Sequence, residues 1–105
     1  MDTARAFADI AAEVEIPDDG TLSRVVYRDD TLRVVVFAFD AGQELTEHTA
    51  SVPAVIQVLR GRLAITATGI SSEFGPGAWI HLPAGDPHTV RATEPSVMLL
   101  TLVKG

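Results

Sequence analysis

The sequence contains no cysteine. A chain without thiols forms no disulfide and offers no thiolate to a metal or a substrate, so thiol chemistry is excluded and a reducing compartment is compatible with the composition. Basic residues are also scarce, with 8 Lys and Arg against 14 Asp and Glu and a formal net charge of −6. Because an acidic surface repels phosphate, we expect no nucleic-acid partner and no binding to anionic membranes.

Long apolar runs are absent as well. No run approaches the roughly 20 residues that a membrane-spanning helix needs, and the first ten residues, MDTARAFADI, lack the apolar core of a secretory signal. The chain also has neither a Gly-x-Ser-x-Gly elbow nor a Walker-type glycine loop. The absence of a spanning segment and of a signal core predicts a cytoplasmic protein. The absence of the two motifs argues against a serine hydrolase of that type and against a P-loop nucleotide-binding protein.

The chain is rich in apolar residues, and their spacing changes from helix-like near the start to strand-like farther along. Hydrophobic residues make up 47% of the 105 positions, which is enough for one compact domain with its own core. Near the start, apolar residues recur at helical spacing over residues 3–14, at Phe7, Ile10, Ala11 and Val14. We therefore predict a short amphipathic helix there, followed by a turn at Pro-Asp-Asp-Gly.

From Leu22 onward the apolar residues form short runs bounded by Gly, Pro and Asp. The predicted strands are residues 22–28, 32–39, 55–59, 62–68, 73–74, 79–82, 88–92 and 97–103. About eight short strands with frequent turns are typical of an all-β sandwich or barrel. We predict a single domain over residues 1–105, with the helix and turn in 1–20 and the barrel in 22–103.

Two segments stand out because each combines a glycine, a strand-like run and one histidine. The first, residues 42–61, reads GQELTEHTASVPAVIQVLRG, and the second, residues 77–88, reads GAWIHLPAGDPH. Their spacings resemble the two sequence motifs of the cupin superfamily. The first motif is matched by Gly42, His48 and Gly61, and the second by Gly77, Pro83, Gly85 and His88.

This resemblance extends from about Leu32 to Val103 and implies an all-β jelly-roll barrel or sandwich carrying the short N-terminal helix. The segment between the motifs, residues 62–76, is as short as in small single-domain bacterial cupins. Metal-binding cupins take two histidines and a glutamate from the first motif and one histidine from the second. Here the second histidine position is Ala50 and the glutamate position is Ala54.

Two of the four expected ligands are therefore missing, and His48 and His88 remain as candidate ligands. Imidazole suits divalent transition metals such as Fe, Mn, Ni, Cu or Zn. A catalytic site normally has three protein ligands, so this set is incomplete. In a metal-free protein the same two histidines are expected to line a pocket.

Strand alternation predicts the rest of that pocket. Ala54, Ile56 and Val58 share one strand face, and together with Ala50 they give a mostly apolar lining. Gln57 is the nearest polar candidate, but it belongs to this lining only if a β-bulge reverses the alternation. His81 is predicted on the other face of its strand with Trp79, in a surface or interface position.

Three functional hypotheses follow from these residues. The first is a cupin that binds a small ligand in an apolar barrel pocket with His48 and His88, without a metal. The second is a metal-dependent cupin enzyme, of dioxygenase or isomerase type, in which both histidines are ligands. The third is a metal-free isomerase or cyclase with a histidine as general base, since an unperturbed imidazole titrates at about pH 6.5. We also expect a homodimer, based on the two-faced apolar run 32–39 and on Trp79.

Overall fold

A computed structural model of the chain describes residues 3–104, of which residues 47 and 48 are described by their backbone alone. Over residues 3–104 the backbone forms one 3₁₀ turn, Ile10–Glu13, and nine strands. The strands are β1 (Thr21–Arg28), β2 (Leu32–Phe39), β3 (Glu44–His48), β4 (Ala54–Arg60), β5 (Leu63–Ala67), β6 (Ile70–Phe74), β7 (Trp79–Leu82), β8 (His88–Ala92) and β9 (Ser96–Val103). Within residues 3–104, no helix has the length and apolar character required to cross a membrane.

The strands form two antiparallel sheets. The five-stranded sheet has the order β1-β2-β9-β4-β7, and the four-stranded sheet has the order β3-β8-β5-β6. β9 lies between β2 and β4, which explains why its sequence is almost continuously apolar. The predicted all-β fold is confirmed.

The main core lies between the inner faces of the two sheets. Alternation along β4, β5, β7 and β8 directs every second side chain into this layer. The fully or almost fully buried members of the core are Phe39, Ala54, Ile56, Val58, Leu63, Ile65, Ile80, Leu82, Val90, Ala92 and Met98. The interior of the barrel is therefore largely filled with apolar side chains.

The N-terminal segment covers part of the outer face of the five-stranded sheet. The helix predicted over residues 3–14 is wrong in extent, because the only helical turn in this segment is Ile10–Glu13 and residues 3–9 are not helical. Asp9, at its N-terminal end, makes no capping hydrogen bond with its side chain, and isolated helices this short are marginal. The predicted apolar face is nevertheless used, since Ile10, Ala11 and Val14 pack against the sheet.

One strand was not predicted. β3 is an edge strand whose single partner is β8, and Leu45 is its only aliphatic residue. A strand with one aliphatic residue has no alternating apolar pattern in its sequence. Its existence follows from pairing with β8 and not from its own composition.

The turn between β4 and β5 explains the glycine that closes the first motif. Gly61 has φ +78°, a conformation that favours glycine. A Cβ atom there would overlap the carbonyl oxygen of Pro95 and would lie 2.7 Å from the Cα of Ser96. The buried hydroxyl of Ser96 accepts a hydrogen bond from the amide of Arg62 at 3.0 Å. This close approach joins the β4–β5 and β8–β9 turns.

We expect Gly61→Ala to destabilise the protein by about 2–5 kcal/mol, because it adds steric overlap to backbone strain. Gly69→Ala is the matched control, since Gly69 has φ +79° but nothing within 4 Å of a Cβ. We expect it to cost only about 1–2 kcal/mol. Urea unfolding of both variants measures the difference, and equal losses would contradict the close approach at Gly61.

Candidate functional site

Two chain connections meet at one end of the barrel and bring the two histidine segments together. Residues 49–53 lead from β3 to β4, and residues 83–87 lead from β7 to β8, so both connections pass from one sheet to the other. They are joined by a hydrogen bond of 2.8 Å from the amide of Gly85 to the carbonyl oxygen of Ala50. This end of the barrel is the candidate site.

A β-bulge in β3 determines which residue lies opposite His88. Leu45 pairs with Val90 and His48 pairs with His88, with an irregularity between the two pairs. Because β3 advances three residues where β8 advances two, position 48 takes the place that position 47 would have in a regular ladder. Bulges often occur beside functional sites, where they re-aim a strand. The backbones of the two histidines are adjacent, while the side chain of His48 lies outside the described part of the structure.

His88 is a buried histidine on the inner face of β8, with 4% of its surface exposed. Its Nδ1 lies 3.1 Å from the backbone carbonyl oxygen of Asp86. A carbonyl oxygen only accepts hydrogen bonds, so Nδ1 is the donor in this contact. This contact fixes the orientation of the ring.

Asp86 and Thr68 complete this arrangement, and the sequence analysis did not identify either of them. The carboxylate of Asp86 accepts hydrogen bonds from the hydroxyl of Thr68 at 2.6 Å and from its amide at 3.3 Å. Thr68 lies in the turn between β5 and β6. The available signal was the Gly-Asp-Pro turn directly before His88, since aspartate in turns commonly accepts hydrogen bonds.

Comparisons with known proteins agree with this fold. The sequence matches no family model and no curated protein. A conserved protein of unknown function from Streptococcus pyogenes is 34% identical, with a TM-score of 0.84 covering 100% of this chain and 91% of that chain. An RmlC-like cupin protein from Desulfovibrio desulfuricans is 27% identical, with a TM-score of 0.84 covering 97% of this chain and 98% of the other. A cupin superfamily protein from Desulfitobacterium hafniense has a TM-score of 0.86 at 19% identity, covering 100% of this chain and 95% of the other, and this likeness concerns the fold alone.

The chain belongs to the cupin superfamily. The resemblance noted from the two motifs is thus confirmed.

The donor set of this cupin does not fit a complete metal centre. Ala50 and Ala54 occupy two of the expected ligand positions and have no donor atom. Among the side chains that the structure describes, no group of three or more His, Asp or Glu residues is placed to hold a metal ion. His88 has the hydrogen-bonded ring expected of a ligand, but a single described imidazole gives little control of coordination geometry.

The residues predicted to line the pocket are placed in two different environments. Ala54, Ile56 and Val58 share the inner face of β4, and their exposed fractions are 1%, 0% and 1%. They are packed core residues of this cupin, and their contact with a ligand stays a prediction. Ala50 is half-buried in the connection between β3 and β4, where its carbonyl group supports the loop before His88.

Gln57 is not part of this inner face. The register of β4 is regular from Ala54 to Val58 and becomes irregular only after Val58, so no bulge reverses the alternation. Gln57 is half-buried and pairs with Trp79 on the neighbouring strand. The inclusion of Gln57 in the pocket is therefore corrected.

His81 and Trp79 alternate with buried residues along β7 and are both exposed. Their rings are stacked at a centroid distance of 6.4 Å, in a surface position as predicted for His81. This pair lies away from the inner face that carries His88.

Among the described residues, the carboxyl groups whose pKa values are clearly displaced lie in turns outside the site. The pKa of Asp29 is lowered well below its usual range, first by a hydrogen bond from the Tyr27 hydroxyl and then by the amides of Leu32 and Thr31. The pKa of Asp40 is lowered by hydrogen bonds from the amides of Asp19 and Ala41. These hydrogen bonds stabilise the ionised carboxylates of Asp29 and Asp40 and hold the turns at the two ends of β2.

Substitutions in β4 test whether its inner face is packed core or borders an open pocket. We expect Ile56→Ala to cost about 2–5 kcal/mol, because it leaves a cavity in a packed layer. Gln57→Ala, on the outer face, should cost less than about 1 kcal/mol. Chemical unfolding measures both values. A loss below about 1 kcal/mol for Ile56→Ala would mean that this side chain borders open space and not packed core.

Proposed function

We propose that this cupin binds a small organic ligand at the end of the barrel where the two histidine segments meet, without requiring a bound metal. The observation that carries the proposal is a buried imidazole, His88, which is oriented by a hydrogen bond from its Nδ1 and lies beside a largely apolar core. A few oriented polar groups in apolar surroundings are typical of small-molecule sites. His48, whose backbone is paired with that of His88, is assigned to the same site.

The chemistry of the neighbouring positions favours ligand binding over metal catalysis. Alanines at 50 and 54 replace donors with methyl groups, and such groups favour apolar atoms of a ligand. The metal-dependent dioxygenase or isomerase is the second candidate, and it is favoured by the hydrogen bond from His88 Nδ1 to a backbone carbonyl group, as in many metal-bound histidines. Any such metal would be held by at most His48 and His88 from the two motifs.

Ligand-observed NMR with a defined set of small alcohols, hydroxy acids and amides tests the proposal. We expect compounds that bind the wild type to bind His81→Ala equally and to bind His88→Ala at least about tenfold more weakly, since a buried hydrogen bond is lost. His81 is the matched control because it is an exposed histidine of the same domain. Equal binding to His88→Ala, or binding by none of the compounds, would contradict the proposal.

A metal-binding measurement distinguishes the metal-free binding protein from the metal-dependent enzyme. Protein purified without metal-affinity columns is incubated with Fe²⁺, Mn²⁺, Ni²⁺, Cu²⁺ or Zn²⁺ and dialysed, and its metal content is measured by elemental analysis. We expect less than one equivalent of each metal to be retained. A stoichiometric metal that is lost in both His48→Ala and His88→Ala would favour the enzyme and overturn the metal-free proposal.

We also propose that two copies associate through the outer face that carries Trp79. Trp79 is 62% exposed and stacks with His81, and an exposed aromatic surface of this kind is typical of interfaces. Residues 36–39 of the two-faced apolar strand β2 are not available for this interface, because both faces are covered there within one copy. Val36 on one face of β2 is covered by the N-terminal segment, and Phe39 on the other face lies in the main core.

Sedimentation equilibrium tests the association. We expect a dimer for the wild type at micromolar concentration and a dissociation constant at least about tenfold higher for Trp79→Ser, because an aromatic anchor is lost. Leu22→Ser is the control, since Leu22 is 46% exposed on the edge strand at the other side of the sheet. A monomeric wild type, or equal effects of the two variants, would contradict this interface.

A further inference from the structure

We propose that Trp79 of one copy inserts into an apolar groove on the outer face of the five-stranded sheet of a second copy, and that the N-terminal segment forms one wall of this groove. The groove has a volume of about 460 Å³, and its lining includes Phe7, Ile10, Leu32, Val34, Leu99 and Thr101. This inference rests on the proposed association through the face that carries Trp79, and it assigns the surface that receives this side chain.

The groove lies where the N-terminal segment leaves the outer face of the sheet partly uncovered. At one end of this face, Val36 and Ala38 of β2 are fully buried and packed with the N-terminal segment. Farther along, Val34 and Thr101 pair with each other across β2 and β9, and both are only half-buried. A half-exposed apolar strip beside a wall of apolar side chains is a surface that association can cover.

Trp79 lies on the same outer face and at the same level along the strands as the groove. It pairs with Gln57, and Gln57 pairs in turn with Leu99 on its other side. Paired residues of neighbouring strands lie side by side and direct their side chains to the same face. Trp79 and the groove-lining Leu99 therefore belong to one row that runs across the sheet.

A twofold axis parallel to the strands brings Trp79 of each copy over the groove of the other. Such an axis keeps the level along the strands and reverses their order across the sheet. In the order β1-β2-β9-β4-β7, an axis between β9 and β4 places β7 of one copy opposite β9 and β2 of the other. Those two strands carry the groove, so two identical contacts form and the assembly closes as a dimer.

The groove also suits an indole chemically. Trp79 is 62% exposed, and an indole of this kind can bury roughly 150–250 Å² of surface at a contact. The hydroxyl of Thr101 is an acceptor that matches the indole N–H. The guanidinium of Arg5 lies 5.0 Å from the centre of the Phe7 ring, and this cation–π contact supports the N-terminal wall.

Complementation between two defective variants tests the contact. Thr101→Lys places a charge in the groove and keeps Trp79, whereas Trp79→Ser keeps the groove and removes the only tryptophan of the chain. A homodimer of either variant has lost both contacts, so we expect dissociation constants at least about tenfold above that of the wild type. A heterodimer of the two variants keeps one intact contact and should have a dissociation constant at least about threefold lower than either homodimer, which is the square root of the tenfold loss.

Tryptophan emission measures this heterodimer, because only the Thr101→Lys copy fluoresces in the mixture. We expect its emission to shift to shorter wavelength as Trp79→Ser is added. The double variant Trp79→Ser/Thr101→Lys is the control for the added protein and should cause no shift at the same concentrations, because its groove is blocked. Thr66→Lys, at an exposed position of the four-stranded sheet, is the control for the added charge and should dimerise like the wild type.

Phe7→Ser changes the wall of the groove at a position outside all helices and strands, so it serves as a second groove variant should urea unfolding show that Thr101→Lys does not fold. We expect it to be complemented by Trp79→Ser in the same way. Equal responses to the single and the double variant, in a wild type that dimerises through Trp79, would overturn the groove as the receiving surface. Failure of the proposed association would look different, because the wild type would be monomeric and its emission would not depend on concentration.

Discussion

The bulge in β3 is the constraint on which the site depends. Leu45 is in register with Val90, and the extra residue then brings His48, and not position 47, into register with His88. Since successive residues of a strand alternate between faces, a slip of one residue would change which residue shares a face with His88. The meeting of the two motifs is thus set by a local irregularity at an edge strand.

The packed core and the turns of the barrel hold the strands that carry this site in place. The packed layer between the sheets excludes water from the side chains that surround the barrel axis. A polar group in such a layer is costly unless it is hydrogen-bonded, and His88 meets this condition through Asp86. Elsewhere the β4–β5 and β8–β9 turns are in close contact, with Gly61 packed against Ser96 and a hydrogen bond from the amide of Arg62 to the Ser96 hydroxyl.

Much of the fold could be predicted from the sequence, because most strands carry their own alternating or continuous apolar pattern. The two glycine-histidine segments indicated which connections meet, and their spacing identified the family. β3 was missed because it contains one aliphatic residue, so its sequence has no alternating apolar pattern. The N-terminal helix was overextended because its apolar spacing suits a helix, while the segment instead packs on the sheet with a single turn.

The site was less predictable, for physical reasons that involve particular residues. Alternation correctly placed Ala54, Ile56 and Val58 on one face, but periodicity does not distinguish a packed core from a cavity wall. Gln57 was included because a bulge in β4 could have turned it inward, and the regular register shows that it does not. The link from Thr68 through Asp86 to His88 joins residues far apart in the chain, so only the fold reveals it.

The most direct test of the account is the register of β3 against β8, measured by cross-strand backbone nuclear Overhauser effects in isotopically labelled protein. The account predicts backbone contacts between residues 48 and 88 and between residues 45 and 90, with the irregularity between them. Contacts that pair residue 88 with residue 47 or residue 49 would contradict it, because the two motif histidines would then no longer be in register.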